Sequence, residues 1–141
     1  MSKKWTDNDL KILAKTIYGE ARGEIEEGRI AVAMVILNRW RDPKRKADSS
    51  ITKTCQRDKQ FSCWNKNDPN YSKVCKVDGN SPVYNVCYAI GLYALEIEDA
   101  DDPTKGATHY HAAWMMPRPK WAQKKKPCLR LDGHLFYNNV K

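Results

Sequence analysis

Of the four glutamates in the stretch Ile17 to Trp40, which reads I-Y-G-E-A-R-G-E-I-E-E-G-R-I-A-V-A-M-V-I-L-N-R-W, Glu20 and Glu24 could do chemistry. Glu20 is the better placed of the two for acid–base chemistry. Leu10, Leu13, Ala14 and Ile17 recur at helical spacing, so one stripe of the preceding segment faces a core. Glu20 continues that stripe into the last turn. A carboxyl group there is expected to be partly desolvated and close to the negative end of the helix dipole. Both effects disfavour ionisation, which suits a general acid near neutral pH. A two-carboxylate glycosidase needs its acids about 5–5.5 Å apart for retention or about 6.5–9.5 Å for inversion. Glu24 would come close only if the helix ran through Gly23, so it is expected instead to pair with Arg22 or Arg29 or to shape a groove.

Three further groups have side chains suited to contacting substrate. Gln60, Phe61 and Ser62 place an amide and a hydroxyl beside an aromatic ring; Gln60 either binds sugar or simply belongs to the loop, and Phe61 is expected to anchor that loop in the core. Tyr110 and Trp121 would stack on the apolar faces of sugar rings or, equally, fill the core of the C-terminal half. His109 and His111 alternate as on a strand, which points both rings to one face. With His134 they make the one set that resembles a zinc site. His111 otherwise serves as a structural or substrate-contacting residue.

The elements that must hold these groups follow from the pattern. Thr6 and Asp9 mark a helix start, and the first helix is expected to end at Gly19 or Glu20. Glu26 and Glu27 suit the first turn of a second helix, which Asp42-Pro43 closes. Within it, the eight apolar residues Ile30 to Leu37 make a helix buried on every side, and one too short to span a bilayer. From Pro43 to Ser81 the chain is polar and turn-rich, with a short element at Ile51 to Cys55 and an aromatic island at Lys59 to Trp64. Such a long loop is usually a functional one. Ser81-Pro82 opens a third helix with a core stripe of Val83, Val86, Cys87, Ile90 and Ala94, ended by the acidic run Glu96 to Asp102. Ala107 to Ala112 is expected as a strand, and Asp132-Gly133 as the turn of a hairpin within Arg130 to Tyr137. The expected fold is α+β: mostly helical, with a few short strands.

At 141 residues and 41% apolar content the chain fits one globular domain, residues 1–141, expected to be a monomer. The start M-S-K-K-W-T-D-N-D has no apolar signal region, and no stretch is long enough for a transmembrane helix. A net charge of +8 implies an anionic partner or serves solubility alone. The basic runs Lys44 to Lys46 and Lys124 to Lys126 lack the aromatic interleaving or motif of a nucleic-acid fold, so no nucleic-acid partner is expected. Five cysteines with no C-x-x-C pair point to free thiols, with disulfide formation left open.

The blocks Y-G-E-A-R-G-E at Tyr18 to Glu24 and E-G-R-I-A-V-A-M-V-I-L-N-R after it resemble the signature of the SleB/CwlJ-type cell wall hydrolases. Gln60-Phe61-Ser62, Pro103 to His111, Pro119-Lys120-Trp121 and Gly133 to Tyr137 follow in the family's order. The resemblance spans about Leu10 to Tyr137. It implies a compact, lysozyme-like catalytic domain acting on peptidoglycan without a cofactor. It also implies that Glu20 is the single acid/base residue of a lytic transglycosylase, protonating the glycosidic oxygen and then taking the proton of the muramoyl C6 hydroxyl. Gln60, Ser62, Tyr110, His111, Trp121 and Glu24 are the expected substrate contacts.

A muramidase that hydrolyses the same bond, with Glu24 as a second carboxylate, stays open, and so do two readings of other kinds. One is a zinc amidase built on His109, His111 and His134; the other is a non-catalytic cell-wall-binding module carried by the basic surface. On the main reading the protein is a phage-type endolysin. It would wait in the host cytoplasm until released to the wall, where its charge would draw it to anionic wall polymers.

Overall fold

The structure, a computed structural model, describes residues 4–57 and 60–140. Met1, Ser2 and Lys3 of the N-terminal stretch and Lys59 of the aromatic island lie outside them.

Helix α1, Asp7–Ala21, starts where the sequence places a cap. The Thr6 hydroxyl accepts from the Asp9 backbone N–H, and the Asp9 carboxylate accepts from the Thr6 N–H. Asp9 also accepts from the backbone and the hydroxyl of Thr52, at 3.0 and 2.6 Å, which ties the start of α1 to helix α3, Ile51–Gln56. Burial works to raise its pKa, but these bonds outweigh burial and hold it below the ordinary carboxylate value.

Helix α2, Glu26–Arg41, is the buried centre. Ala31 to Leu37 are all but inaccessible to solvent, in keeping with a run that has no polar face. Each fully buried Leu, Ile or Val contributes about 1.5–3 kcal/mol relative to exposure. Helix α1 packs against α2, α3 and the third long helix, α5, Pro82–Glu96.

The buried stripe of α5 is rotated from the expected one. Tyr84, Cys87, Ile90, Gly91 and Ala94 face inward, while Val83 and Val86 are exposed. The reason is Gly91. A Cβ there would meet Leu13 and Leu10 of α1 at 3.2 and 3.3 Å, so α5 packs closely on α1 at a residue without a side chain. The described residues between Pro43 and Ser81 are also more regular than expected: besides α3 they include a 3-10 turn, Ser62–Trp64, and helix α4, Tyr71–Lys76.

The C-terminal third forms a three-stranded antiparallel sheet in the order β1-β3-β2, with β1 His109–Ala112, β2 Leu129–Leu131 and β3 His134–Tyr137. Asp132 and Gly133 turn β2 into β3, with Asp132 at φ 46°. Pairing sets Tyr110 opposite Phe136 and His111 opposite Leu135. Alternation then gives each face a destination. Tyr110, Phe136, Leu129 and Leu131 join the helical core, while Leu135, Tyr137 and Trp121 make a second, smaller cluster with Ala122. Among the described residues no helix is long and apolar enough to cross a membrane, and all five cysteines are free thiols.

Candidate active site

Glu20 sits in the last turn of α1, half-buried, and three donors converge on it. The Tyr110 hydroxyl donates to Oε1 at 2.9 Å, the Cys63 backbone N–H donates to Oε2 at 3.1 Å, and the Ser62 hydroxyl reaches Oε2 at 3.5 Å. These donors come from two sequence-distant places, β1 and the 3-10 turn. Burial first, and then the negative charge of Glu20, keep the Tyr110 phenol well above its ordinary pKa of 10. Tyr110 therefore stays protonated and can donate throughout the neutral range. Because hydroxyls both donate and accept, Tyr110 and Ser62 can serve Glu20 in either protonation state; the Cys63 N–H can only donate.

The 3-10 turn is carried to Glu20 by close packing. Gly19 leaves no room for a Cβ, which would lie 2.6 Å from both Cys63 Cβ and Val74 Cγ1. The Trp64 indole N–H donates to the buried Thr16 hydroxyl at 2.9 Å, pinning the same turn one helical turn earlier on α1. Burial, reinforced by the nearby charge of Glu20, raises the Cys63 pKa far above a normal thiol's. Cys63 is thus an inert packing thiol whose useful atom is its backbone nitrogen.

Strand β1 is aimed by the end of α2. Asn38 donates to Asp102 Oδ2 and to the Ala107 carbonyl, both at 2.9 Å. Asp102 in turn accepts from the Thr104 backbone and hydroxyl and from the Gly106 N–H, at 2.8, 2.7 and 3.0 Å. The block Pro103 to Thr108 is therefore a brace for the start of β1 rather than a set of reacting groups. Next along α2, the buried Arg39 donates through Nε to the Thr108 carbonyl and through Nη1 to Gln60 Oε1 at 3.0 Å, with its guanidinium 5.1 Å from the Phe61 ring centroid. Burial lowers its pKa to about 10, which still leaves it charged at neutral pH.

The expected substrate contacts fall into two groups. Ser62, Tyr110 and, through Arg39, Gln60 gather around Glu20 and the loop beside it. Ser62 and Gln60 are exposed, whereas Phe61 is a buried anchor as expected. His111 and Trp121 lie on the other face of the sheet. His111 is 5% exposed, with Nδ1 2.8 Å from the Ala112 carbonyl and Nε2 2.8 Å from the Tyr137 hydroxyl. The carbonyl can only accept, so Nδ1 carries a proton and donates to it. Trp121 packs on His109, His111 and Tyr137 at centroid distances of 5.0, 5.7 and 5.2 Å.

The three-histidine set is not brought together. His134 is paired opposite Ala112, which places it on the face of Tyr110, away from His109 and His111. The alternation that aligns the first two rings also separates the third, and the described residues contain no group of three metal-ligating side chains. Glu24 likewise has a different partner from Arg22 or Arg29: its Oε1 lies 2.9 Å from His134 Nδ1. Arg22 instead reaches the Tyr18 carbonyl and Asn70, and Arg29 the Arg22 carbonyl.

Sequence reasoning missed Gly19, Asn38, Arg39 and the Cys63 backbone. Asn38 and Arg39 close the block E-G-R-I-A-V-A-M-V-I-L-N-R, and as two polar residues continuing a buried apolar run they carry the signal that could have found them. It also passed over Trp114, which is 80% exposed on the loop that leaves β1.

This arrangement agrees with what the chain is similar to. The family profile described as Cell Wall Hydrolase matches residues 23–137, beginning three residues after Glu20. The catalytic domain of the Bacillus cereus SleB protein superposes with a TM-score of 0.75 at 23% identity, over 97% of this chain and 94% of that one. The catalytic domain of the germination-specific lytic transglycosylase SleB from Bacillus anthracis gives 0.72 at 23% identity, over 97% and 99%. These likenesses establish the mostly helical α+β fold. The spore cortex-lytic enzymes of Bacillus subtilis and Halalkalibacterium halodurans are each 54% identical over 39 residues. That segment is 28% of this chain but only 13% and 12% of those longer proteins. With most of its length matched by the family profile, the chain belongs to the cell wall hydrolase family.

Proposed function

We propose that the protein cleaves the glycosidic bond between N-acetylmuramic acid and N-acetylglucosamine in peptidoglycan, as a lytic transglycosylase with Glu20 as its only acid/base residue. The observation that carries this reading is the half-exposed Glu20 carboxyl group held by Tyr110 on one oxygen and by the Cys63 N–H, with Ser62, on the other. Glu20 gives its proton to the glycosidic oxygen as the C1–O bond breaks. The resulting carboxylate then removes the C6 hydroxyl proton while O6 bonds to C1. The products are a 1,6-anhydromuramoyl end and a free hydroxyl on the departing sugar, and Glu20 is protonated again. Tyr110 and Ser62 hold the carboxyl group through both steps. The engagement of Glu24 with His134 supports a single-carboxylate scheme over a two-carboxylate hydrolase.

Ser62 supplies an exposed hydroxyl beside Glu20 for the glycan and Gln60 an exposed amide on the same loop, and the charge of +8 supports attraction to anionic wall polymers. A phage-type endolysin role belongs to the same reading. It predicts that cells producing the protein in the cytoplasm lyse only once their membrane is permeabilised.

The test is mass spectrometry of fragments released from purified peptidoglycan by wild type and by Glu20→Gln. Disaccharide-peptides lighter by one water, absent with the variant, are the expected result. Reducing-end fragments would mean hydrolysis, and free stem peptides would overturn glycosidic cleavage.

A further inference from the structure

The contact between Glu24 and His134 has no part in the scheme above, yet both atoms involved are shielded from solvent. Glu24 Oε1 and His134 Nδ1 lie 2.9 Å apart, within ion-pair distance once His134 is protonated although off the angle of a hydrogen bond, and neither atom has a hydrogen-bond partner elsewhere. Removing either side chain would strand the other's buried polar atom. Glu24 belongs to the connection between α1 and α2, four residues after Glu20; His134 opens β3 directly after the Asp132-Gly133 turn.

The sheet converts this contact into a constraint on Tyr110. His134 and Phe136 both stand on the Tyr110 face of the sheet. The His134 ring meets Tyr110 edge-on at 5.1 Å between centroids, and Phe136 lies 5.6 Å from it at a shallower tilt of 33°. Phe136 is fully buried and fixed by the core. His134 has Glu24 against its Nδ1. The last turn of α1 and the connection after it therefore meet the sheet at two points: Glu20 accepts from the Tyr110 hydroxyl on β1, and Glu24 stands against His134 on β3.

We propose that Glu24 and His134 are a positioning pair for the reaction, holding the Tyr110 ring so that its hydroxyl meets Glu20. The pair acts through Tyr110 and touches neither the scissile bond nor the proton that moves. The proposal rests on the glycosidase reading for its kinetic consequences, but its structural content is measurable without any turnover.

The kinetic test compares Glu24→Ala, His134→Ala and Glu24→Gln on purified peptidoglycan. Both alanine variants are expected to lose roughly tenfold or more in kcat with KM within about twofold. Glu24→Gln, which keeps an oxygen facing Nδ1, recovers most of that loss. In a Tyr110→Phe background, His134→Ala adds no further loss, because the hydroxyl it positions is already gone. A merely structural role would subtract the same amount in either background.

The second measurement is the Tyr110 signal in NMR spectra of protein labelled with ¹³C at the tyrosine ring carbon that bears the hydroxyl. The signal is assigned by its loss in Tyr110→Phe. His134→Ala and Glu24→Ala are expected to shift it in the direction that Glu20→Gln does. If His134→Ala does not fold, His134→Asn takes its place in both experiments. Wild-type kcat in the alanine variants, equal losses in both backgrounds, or an unmoved Tyr110 signal would overturn the pair. Absence of glycan cleavage by wild type would instead overturn the glycosidase reading, leaving the NMR comparison to decide the pair alone.

Discussion

Gly19 and Cys63 are in direct contact: a methyl group on Gly19 would lie 2.6 Å from the Cys63 Cβ and 2.8 Å from its sulfur. The absence of a side chain on the residue before Glu20 is what lets the 3-10 turn present its N–H to the carboxyl group. Gly19→Ala is therefore expected to cost about 1–3 kcal/mol of stability through overpacking and to move the Cys63 N–H away from Glu20. Denaturant unfolding and the rate of fragment release, measured together, check both halves. Unchanged activity would show that the Cys63 contact is dispensable.

Tyr110→Phe removes one hydroxyl while keeping the ring between His134 and Phe136. The expected outcome is a kcat lower by roughly one to two orders of magnitude with little change in melting temperature, since the lost bond serves the reacting carboxyl group. A variant with wild-type kcat would remove Tyr110 from the mechanism.

His109 gives the stability a pH dependence. Burial is the main cause that lowers its pKa to about 4 from an ordinary 6.5, and the charges of Arg39 and Arg45 add to it. In the folded protein the ring is neutral at pH 5, whereas in the unfolded chain it is mostly protonated. Its contribution is thus complete above about pH 6.5 and is lost as pH falls toward 4. The full shift would correspond to about 3.4 kcal/mol, and screening at this half-exposed site reduces it to about 1–2 kcal/mol. Melting temperatures recorded from pH 7 to pH 4.5 should fall less steeply for His109→Gln than for wild type.

Trp114 is the natural candidate for sugar stacking in place of Trp121. Its indole is 80% exposed, on the loop that follows the strand bearing Tyr110, while Trp121 is packed among His109, His111 and Tyr137. Trp114→Ala is expected to raise KM for peptidoglycan by roughly three- to tenfold with kcat and melting temperature nearly unchanged. A parallel fall in kcat alone would argue against a binding role.

Much of this was legible beforehand, and for identifiable reasons. The Thr6–Asp9 cap, the buried run of α2 and the Asp132-Gly133 turn are local. Neighbouring residues decide them, so they survive folding unchanged. The stripe of α5 is not legible in the pattern because Gly91 contributes nothing to it, yet Gly91 is where α5 packs on Leu10 and Leu13 of α1. The partner of Glu24 was misread for a similar reason: Arg22 and Arg29 are near in sequence, whereas His134 is near only in space.

The order of motif blocks in the chain was enough to establish the family and to single out Glu20, because a carboxyl group on the apolar stripe of a capped helix is conspicuous in one dimension. Which groups surround that carboxyl group was decided by the tertiary structure alone. Ser62 and Cys63 arrive through the missing side chain of Gly19, and Tyr110 arrives through the brace of Asn38, Arg39 and Asp102. The strand register then fixed the histidines. Alternation puts neighbouring residues on opposite faces of a sheet, so pairing His134 with Ala112 places it beside Tyr110 and Glu24 and away from His109 and His111.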